Sequence, residues 1–311
     1  MHGIDNTAVK AYQDHAIKYS ADVIGDLMYG FDTAKWARVR TGIKGDEVLT
    51  DISFNKLARR YKHTFTERAG QIVEAPRVIS VTKAKVEVPI IPAEYDDDYR
   101  AHIIRNPGLD PRQWTLQKYI FDKIIEQTQM EMEDAVYGAT KTGSPTDDDY
   151  LDVLFDGVLA IAAAEGTPVA TGVTTAANAV ENFNAIYKSL GPVAKRAGGV
   201  ILCSDVDAEL YAQAAYDGGR RHISDPENPT MDMPFLLNKK FTIKPVAGMA
   251  GSRRIIFTQK DNIIIGTGLL ADAGKIFLDF HHRQIDLMID FSLGVQIGRV
   301  SADRFAMNDQ A

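Results

Sequence analysis

The chain has few of the features that mark secreted, membrane-spanning or DNA-binding proteins. A single cysteine, Cys203, excludes an intrachain disulfide framework. There is no apolar run of 18 residues, and the N-terminal MHGIDNTAVK lacks the charged and apolar regions of a secretion signal. The formal net charge of −7 is unlike the basic surface of a dedicated DNA binder. With 311 residues and 45% hydrophobic content, the composition predicts a globular chain with no membrane partner.

Catalytic and metal-binding motifs are also missing. The chain has no G-x-S-x-G, H-E-x-x-H or C-x-x-C motif. Cys203 ends the apolar run GVILC, which predicts a buried structural thiol rather than a nucleophile. His281 and His282 are neighbours in a predicted strand and therefore point to opposite faces, while the acidic runs 96–98 and 147–149 are typical of solvated turns. We predict no catalytic residue, no metal and no cofactor.

One glycine-rich segment keeps a nucleotide-dependent enzyme as an alternative. GTGLLADAGK, from Gly266 to Lys275, follows a predicted strand as a dinucleotide-binding turn would. However, no helix-length segment separates it from the next strand near Ile276, and a parallel crossover needs a dozen or more residues. The phosphate-loop spacing fails as well, because five residues separate Gly268 from Gly274. A glycine-rich link between domains is the preferred interpretation.

The longest predicted element is an amphipathic helix over residues 111–137. Asp110 suits the N-cap, Pro111 the first helical position and Gly138 a left-handed residue after the end. At 1.5 Å per residue the helix would run roughly 40 Å, so several other elements must lie along it. We call it the spine helix. One row of its apolar stripe consists of Leu116, Ile120, Ile124, Thr128, Met132 and Val136.

Four further segments are organised around the spine helix. Residues 6–29 show the spacing of an amphipathic N-terminal helix, and VISVTKAKVEVPIIP, before residue 93, alternates like a half-exposed strand. We predict that this strand pairs with the preceding SFNKLARRYKHTFTER in a long hairpin with little core of its own. Residues 158–272 alternate strands and capped helices, and residues 284–298 predict one long strand with a dry face. That face is Ile285, Leu287, Ile289, Phe291, Leu293, Val295 and Ile297.

This order of elements resembles the major capsid protein of tailed double-stranded DNA bacteriophages, in the Hong Kong 97-type fold. Short segments such as AKWARVRTG, IIEQTQMEMEDAVYG and LFDGVLAI are similar to sequences of that family, and the resemblance covers nearly the whole chain. It implies an α+β fold with four parts. These are an N-terminal arm at 1–42, an extended β-hairpin called the E-loop at 43–92, a peripheral domain at 93–157 and 273–311, and an inserted axial α/β domain at 158–272.

The resemblance also implies a function in the virion head. The chain would self-assemble as hexamers and pentamers into an icosahedral shell around double-stranded DNA, without catalysis. Assembly would take place in the host cytoplasm. Its partners would be other copies of itself, with scaffolding, portal and decoration proteins as further candidates, and packaged DNA by non-specific proximity only. An encapsulin-like nanocompartment shell, which holds cargo enzymes, is the alternative within the same fold.

Charge segregation predicts one contact between subunits. Residues 35–68 carry nine bases against four acids, about +5, whereas residues 91–156 carry fifteen acids against six bases, about −9. Two solvated faces of one domain are the alternative explanation of this pattern. In a shell, however, the hairpin needs a surface, and a neighbour's spine helix offers an acidic one. The predicted basic residues are Arg59, Arg60 and Lys62, and the predicted acids are Glu126, Glu131, Glu133 and Asp134.

Two further contacts are expected between copies. The irregular loop at 218–234 would surround a five- or six-fold axis, where Arg220, Arg221 and His222 need acids such as Asp225 and Glu227 from neighbours to offset repulsion. The stripe of the N-terminal arm exceeds what the next short elements can cover. Part of it is therefore expected to be buried only on assembly, so that deletion of residues 1–20 leaves a folded subunit that assembles poorly.

Overall fold

The computed structural model describes residues 29–54, 72–105, 116–144, 149–217, 233–268, 276–281 and 284–310. It also describes the single residues 27, 58, 60, 61, 63 and 146. The amphipathic pattern at 6–26, the N-cap of the spine helix and the axial loop at 218–232 lie outside this part of the chain. Within it, no helix is both long enough and apolar enough to cross a membrane.

The described residues contain thirteen strands and six α-helices. The strands are β1 Arg38–Thr41, β2 Asp46–Phe54, β3 Ile72–Ser80, β4 Thr82–Ile90, β5 Pro168–Val169, β6 Gly199–Cys203, β7 Met233–Pro234, β8 Phe241–Pro245, β9 Ile256–Thr258, β10 Ile263–Thr267, β11 Ile276–His281, β12 Gln284–Ile297 and β13 Phe305–Asn308. The helices are α1 Pro92–Arg105, α2 Leu116–Gly138, α3 Val158–Glu165, α4 Ala179–Ser189, α5 Pro192–Ala197 and α6 Asp205–Asp217. Helix α2 is the spine helix.

The predicted long strand is confirmed as β12, the centre of the first sheet. Strands run in the order β1-β10-β12-β11, and β4 also pairs with β12 from Leu293↔Thr82 to Ile285↔Ile90. All seven alternating apolar residues of β12 are buried, because one face of the strand is dry. They share a hydrophobic core with Ile120, Phe121 and Met132 of the spine helix. Strand β12 and the spine helix therefore belong to one core.

The second sheet carries the α/β region. Its six strands run in the order β5-β13-β9-β6-β8-β7, with β6 and β8 parallel. Helices α4 and α6 pack on it through Phe183 and Tyr211, whose ring centroids lie 4.6 Å apart, and Phe257 of β9 joins the same core. The sequence run GVILC is strand β6, wholly buried except at its first residue.

The sheets divide the chain differently from the predicted domains at two places. Strand β10 was assigned to the axial domain but pairs with β12 in the first sheet, and β13 was assigned to the peripheral domain but pairs with β9 in the second. The turn Lys260–Asn262 explains the first difference. It carries the chain from one sheet to the other, although a short turn between two strands is typical of a hairpin.

Three local predictions are also corrected. The alternating segment before residue 93 is two strands, β3 and β4, separated at Val81, and the partner of β3 is β2 rather than the charged segment after it. Residues 96–98 lie within helix α1, not in a turn. Gly138 is the last residue of the spine helix and does not have the predicted positive φ. The alternation of side chains continues through Val81, the single residue between the two strands. It therefore gives no sign that the segment consists of two strands rather than one.

Candidate functional site

Strands β2 and β3 pair as an antiparallel hairpin, and the root of this hairpin lies directly on the first sheet. The chain crosses β12 where Gly266 of β10 and Gly294 of β12 face each other across the ladder. A Cβ atom at Gly294 would lie 2.0 Å from the carbonyl oxygen of Ser80. At Gly266 it would lie 2.9 Å from side-chain methyl groups of Ile79 and Val81. Both glycines are therefore needed for the close approach of the hairpin root.

A small apolar cluster holds the root in place. Its buried members are Ile43, Leu49, Ile79 and Ile264, with Val81 partly buried against them. Ile43 precedes the hairpin and Ile264 belongs to β10, so the cluster joins both ends of the hairpin to the sheet. This contact is separate from the two larger cores and is the only apolar cluster that the described residues of the hairpin form.

Arg77 of β3 adds a polar tie between the hairpin and the body. Its Nη1 lies 2.6 Å from Oε2 of Glu165, at the end of α3, and its Nη2 donates to Oε1 of Gln296 at 2.9 Å. Gln296 in turn donates to the carbonyl oxygen of Val78 at 2.7 Å. The Arg77 side chain is only 15% exposed, so this ion pair is more sheltered than an ordinary surface pair.

The opposite face of the hairpin is exposed, and so are the few residues that the structure describes between its two strands. Val48 and Val78 are cross-strand partners, and both face solvent. Near the tip, Arg60 is exposed, and so are Tyr61 and His63, whose OH and Nδ1 atoms lie 3.1 Å apart. Arg59 and Lys62 lie outside the described residues. The hairpin therefore presents apolar, aromatic and basic groups that its own subunit does not cover.

The acids predicted to receive this hairpin fall into two groups. Glu126, Glu131 and Asp134 are exposed on the spine helix, where Glu126 pairs with Lys123 at 2.7 Å and Glu131 accepts from Gln127 at 2.9 Å. Of these three acids, Glu131 lines an open groove of roughly 600 Å³ between β4, α1 and the spine helix. The described lining of the groove combines the apolar Val86, Val88, Ile120 and Ile124 with the acidic Glu87, Asp98 and Glu131 and the basic Lys85 and Lys123.

Glu133 differs from the prediction, because it is 7% exposed and engaged inside its own subunit. Its carboxylate accepts hydrogen bonds from the backbone N–H of Thr33 at 3.0 Å and from the Thr33 hydroxyl at 2.6 Å. Burial raises the pKa of Glu133, an effect that the Thr33 hydrogen bonds partly offset. It also raises the pKa of Tyr137, whose OH lies 2.7 Å from the Thr33 Oγ1 atom. Glu133 thus ties the segment before β1 to the spine helix and is not available to a neighbour.

The remaining candidates have no catalytic arrangement among the described residues. Cys203 is fully buried, and burial raises the pKa of its thiol, so the prediction of a structural thiol is confirmed. No group of three or more His, Cys, Asp or Glu residues is placed to hold a metal in the described ranges. In the glycine-rich segment, Gly266 packs under the hairpin root and the N–H of Gly268 donates to Ser292 Oγ at 3.0 Å. Residues 269–275 lie outside the described part, as do Arg220, Arg221, His222, Asp225 and Glu227.

A spine helix, a long return strand, a separate β2–β3 hairpin and an inserted α/β unit define the α+β Hong Kong 97-like fold of tailed-phage capsid proteins. Solved phage structures share this architecture. A chain in the procapsid of satellite phage P4, a structure that includes the size determination (Sid) protein, matches with a TM-score of 0.54 and 10% identity. The match covers 92% of this chain and 89% of that one. A chain of Gordonia phage Cozz matches with a TM-score of 0.50 and 12% identity, covering 88% and 84%.

At the level of sequence, no protein-family model matches the chain, and no curated protein matches it. The likeness is therefore one of fold. In this fold the order and proportions of the elements are retained, although nine in ten aligned residues differ.

Proposed function

We propose that the protein is the major capsid protein of a tailed double-stranded DNA bacteriophage. It self-assembles as hexamers and pentamers into the icosahedral shell of the head, and it acts by packing rather than by catalysis. The observation that carries the proposal is the likeness of fold over 92% of the chain to a subunit of a phage procapsid. A hairpin with exposed apolar and basic groups and little core of its own supports it, because such an element needs a surface on another copy.

The acidic face of the spine helix is the surface that we propose for this hairpin. Arg59, Arg60 and Lys62 of one copy would face Glu126, Glu131 and Asp134 of the next, and Glu131 lies beside the groove that β4 and α1 form with the spine helix. Glu133 is left out because Thr33 of its own chain already occupies it. Exposed pairs contribute only about 0–1 kcal/mol each, so the charges set register and encounter rate more than affinity.

Particle formation tests the function directly. The protein is expressed alone and with a scaffolding candidate, then analysed by size-exclusion chromatography and negative-stain microscopy. Shells, rings of five or six, or tubes are expected. A small discrete oligomer that never assembles further would contradict the proposal and favour an enzyme. Nuclease-protected DNA inside particles made during infection distinguishes a phage head from an encapsulin-like shell, which would instead contain cargo enzymes.

Charge reversal tests the hairpin contact. Arg59→Glu with Arg60→Glu should block assembly while the monomer stays folded by circular dichroism, because two attractive pairs become repulsive. Reversal of Glu126 and Glu131 to Lys in the same chain should partly restore assembly. Lys44→Glu with Lys83→Glu, at two exposed bases outside the tip, is the matched control. Normal assembly of the double reversal in low salt would mean that the charge segregation is only a solvated surface.

The remaining partners follow from the same function. Scaffolding, portal and decoration proteins are proposed partners of the shell. Packaged DNA is proposed to lie near the inner surface without specific contacts, as the net charge of −7 suggests. The protein would then be found in the virion, after assembly in the host cytoplasm. Immunogold labelling of intact and opened heads would test this location.

A further inference from the structure

The six-stranded sheet has two ends of opposite charge. At one end lie the start of β6 and β8 and the end of α4, together with all of α5. Five bases cluster there: Lys188, Lys195, Arg196, Lys239 and Lys240. The adjoining turns add Lys260 and Arg304 against Asp261 and Asp303, so seven bases meet two acids and the local charge is +5. We call this the basic end.

Hydrogen bonds hold the basic end together as one surface. Lys195 Nζ donates to the carbonyl oxygen of Lys188 at 2.9 Å, and Lys240 Nζ donates to that of Arg196 at 2.8 Å. The Asn238 side chain donates to the carbonyl oxygen of Lys195 at 2.8 Å, which brings the turn before β8 against α5. None of the five bases forms a salt bridge with another described residue.

The opposite end of the same sheet is acidic. It consists of the ends of β6 and β13 and the first turns of α4 and α6, and its exposed carboxylates belong to Glu181, Asp205, Glu209 and Asp309. With the buried Asp207, five acids there meet Arg253, Arg254 and Lys244, a local charge of −2. Arg253 is already engaged, since its Nη1 lies 2.9 Å from Oδ1 of Asp207. We call this the acidic end.

Each end also exposes two aliphatic side chains. Val193 and Leu237 are 59% and 51% exposed at the basic end, and Val173 and Val206 are 56% and 50% exposed at the acidic end. Exposed aliphatic residues on a surface whose charges are mainly of one sign are typical of a protein interface, which has an apolar centre and a polar rim. A nucleic acid backbone would bind the lysine and arginine side chains but would make no favourable contact with Val193 and Leu237.

The two ends lie on opposite sides of one compact unit, about 17 Å apart along five-residue strands. A ring of identical subunits requires this arrangement, because each copy must meet the next through two different surfaces. We infer that the basic end of one subunit docks on the acidic end of the next subunit around a ring. The inference rests on the proposed function and adds the residues of a contact within each hexamer and pentamer.

Three charge-reversed chains test this contact. The basic-end variant carries Lys188→Glu, Arg196→Glu and Lys239→Glu, and it keeps Lys195 and Lys240 because their ammonium groups bond to carbonyl oxygens at the ends of α4 and α5. The acidic-end variant carries Glu181→Lys, Asp205→Lys and Glu209→Lys. The third chain carries all six substitutions. The control carries Lys44→Glu, Lys83→Glu and Lys141→Glu, which change the net charge as much as the basic-end variant at exposed positions elsewhere. Circular dichroism and melting temperature establish that each chain is folded.

The expected results follow from head-to-tail contact. Each single-end variant should need about tenfold more protein to assemble, since several weak attractive pairs become repulsive, whereas the six-fold variant and the control should assemble like the unchanged protein. A mixture of the two single-end variants should form rings of six, in which the variants alternate. It should not form rings of five, because an odd ring cannot alternate, and therefore it should not close icosahedral shells.

A cross-linking experiment does not depend on charge reversal. Val193→Cys with Val206→Cys in one chain, treated with a short bis-maleimide after assembly, should give a ladder of bands up to six subunits. Cys203 does not compete, because it is buried. Either single cysteine variant should give no ladder beyond a dimer.

Three outcomes would overturn the inference: normal assembly of the basic-end variant, a mixture that assembles no better than its components, or the absence of a cross-linked ladder in intact shells. Shells that form normally from the basic-end variant but retain less DNA would assign the basic end to nucleic acid instead. Failure of the control in the same way would mean that net charge alone matters. If the unchanged protein forms no ring or shell at all, the proposed function itself fails.

Discussion

Gly294 lies where the hairpin root crosses β12, and it is the position where one added methyl group should lower the stability of the subunit most. In Gly294→Ala, the new Cβ would lie 2.0 Å from the Ser80 oxygen and 3.0 Å from both the Ser80 carbonyl carbon and the Val81 Cα. Carbon and oxygen atoms that are not bonded rarely approach within 3.0 Å, so the chain at Ser80 must move by at least about 1 Å. It cannot do so freely, because Ser80 pairs with Asp46 and Thr82 pairs with Leu293.

The magnitude follows from these constraints. Over-packing in a closed site costs about 1–3 kcal/mol, and distortion of one or two ladder hydrogen bonds adds about 0.5–1.5 kcal/mol each. We therefore expect Gly294→Ala to lower the free energy of unfolding by about 3 kcal/mol, or the melting temperature by roughly 6 °C at about 2 °C per kcal/mol. Amide exchange should increase first in β2 and β3, since the hairpin root is displaced.

Two matched substitutions give the ranking that tests the reasoning. Gly266→Ala should cost less, about 1 kcal/mol, because the atoms within 3.0 Å of its Cβ are the methyl ends of side chains. Gly143→Ala, with no atom within 4 Å of its Cβ, should change stability by no more than about 0.5 kcal/mol. Denaturant unfolding of the unassembled subunit measures all three. The close approach would be refuted if Gly294→Ala were as stable as Gly143→Ala.

Three further predictions concern the side chains of Glu133, Arg77 and Cys203. Because burial raises the pKa of Glu133, this carboxyl group holds its proton more tightly in the folded state than in the unfolded chain. The stability that Glu133 contributes is therefore complete below its usual pKa and is lost as pH rises through the raised pKa. Unfolding of Glu133→Gln measured from pH 4 to pH 7 should therefore show a weaker decline than the unchanged protein, and a parallel decline would contradict this account. Arg77→Met should lower stability by about 1–2 kcal/mol and raise amide exchange in β3, whereas Arg77→Lys should retain part of the tie to Glu165; equal exchange in all three proteins would remove Arg77 as a tie. Cys203 should not react with a thiol reagent until the subunit unfolds, because it is buried and burial raises its pKa; rapid reaction of the native subunit would show otherwise.

The elements that sequence predicted well are those whose burial follows a local period. The alternation from Ile285 to Ile297 defines β12 almost to the residue, and exposed Lys83, Lys85 and Glu87 alternate with covered residues along β4 as expected. In β12 one face is dry, and along β4 exposed and half-buried residues alternate, so the local side-chain pattern is enough to predict both strands.

The errors concern pairing, which no local period encodes. Strand β13 pairs with β9, more than 40 residues away along the chain, and β2 replaces the charged segment that sequence proposed as the partner of β3. The sequence predicts Glu133 as one of the acids that face a neighbouring subunit, yet it lies near Met132 and Val136 on the covered side of the spine helix. Its hydrogen-bond donors come from Thr33, 100 residues away along the chain, so no local pattern marks Glu133 as buried.

The three contacts that hold the hairpin root also affect the part that charged residues at the tip would have in the proposed contact. The glycine crossing, the cluster around Ile79 and the Arg77 network all fix the start of the hairpin to its own subunit. A hairpin with a fixed start can present its tip in only a narrow range of directions, so less conformational entropy is lost when the tip docks. In the proposed contact, weak and exposed charge pairs would then be sufficient to select the register, because the root would already set the direction. A mobile hairpin with the same charges would have to offset the loss of freedom before those pairs could contribute.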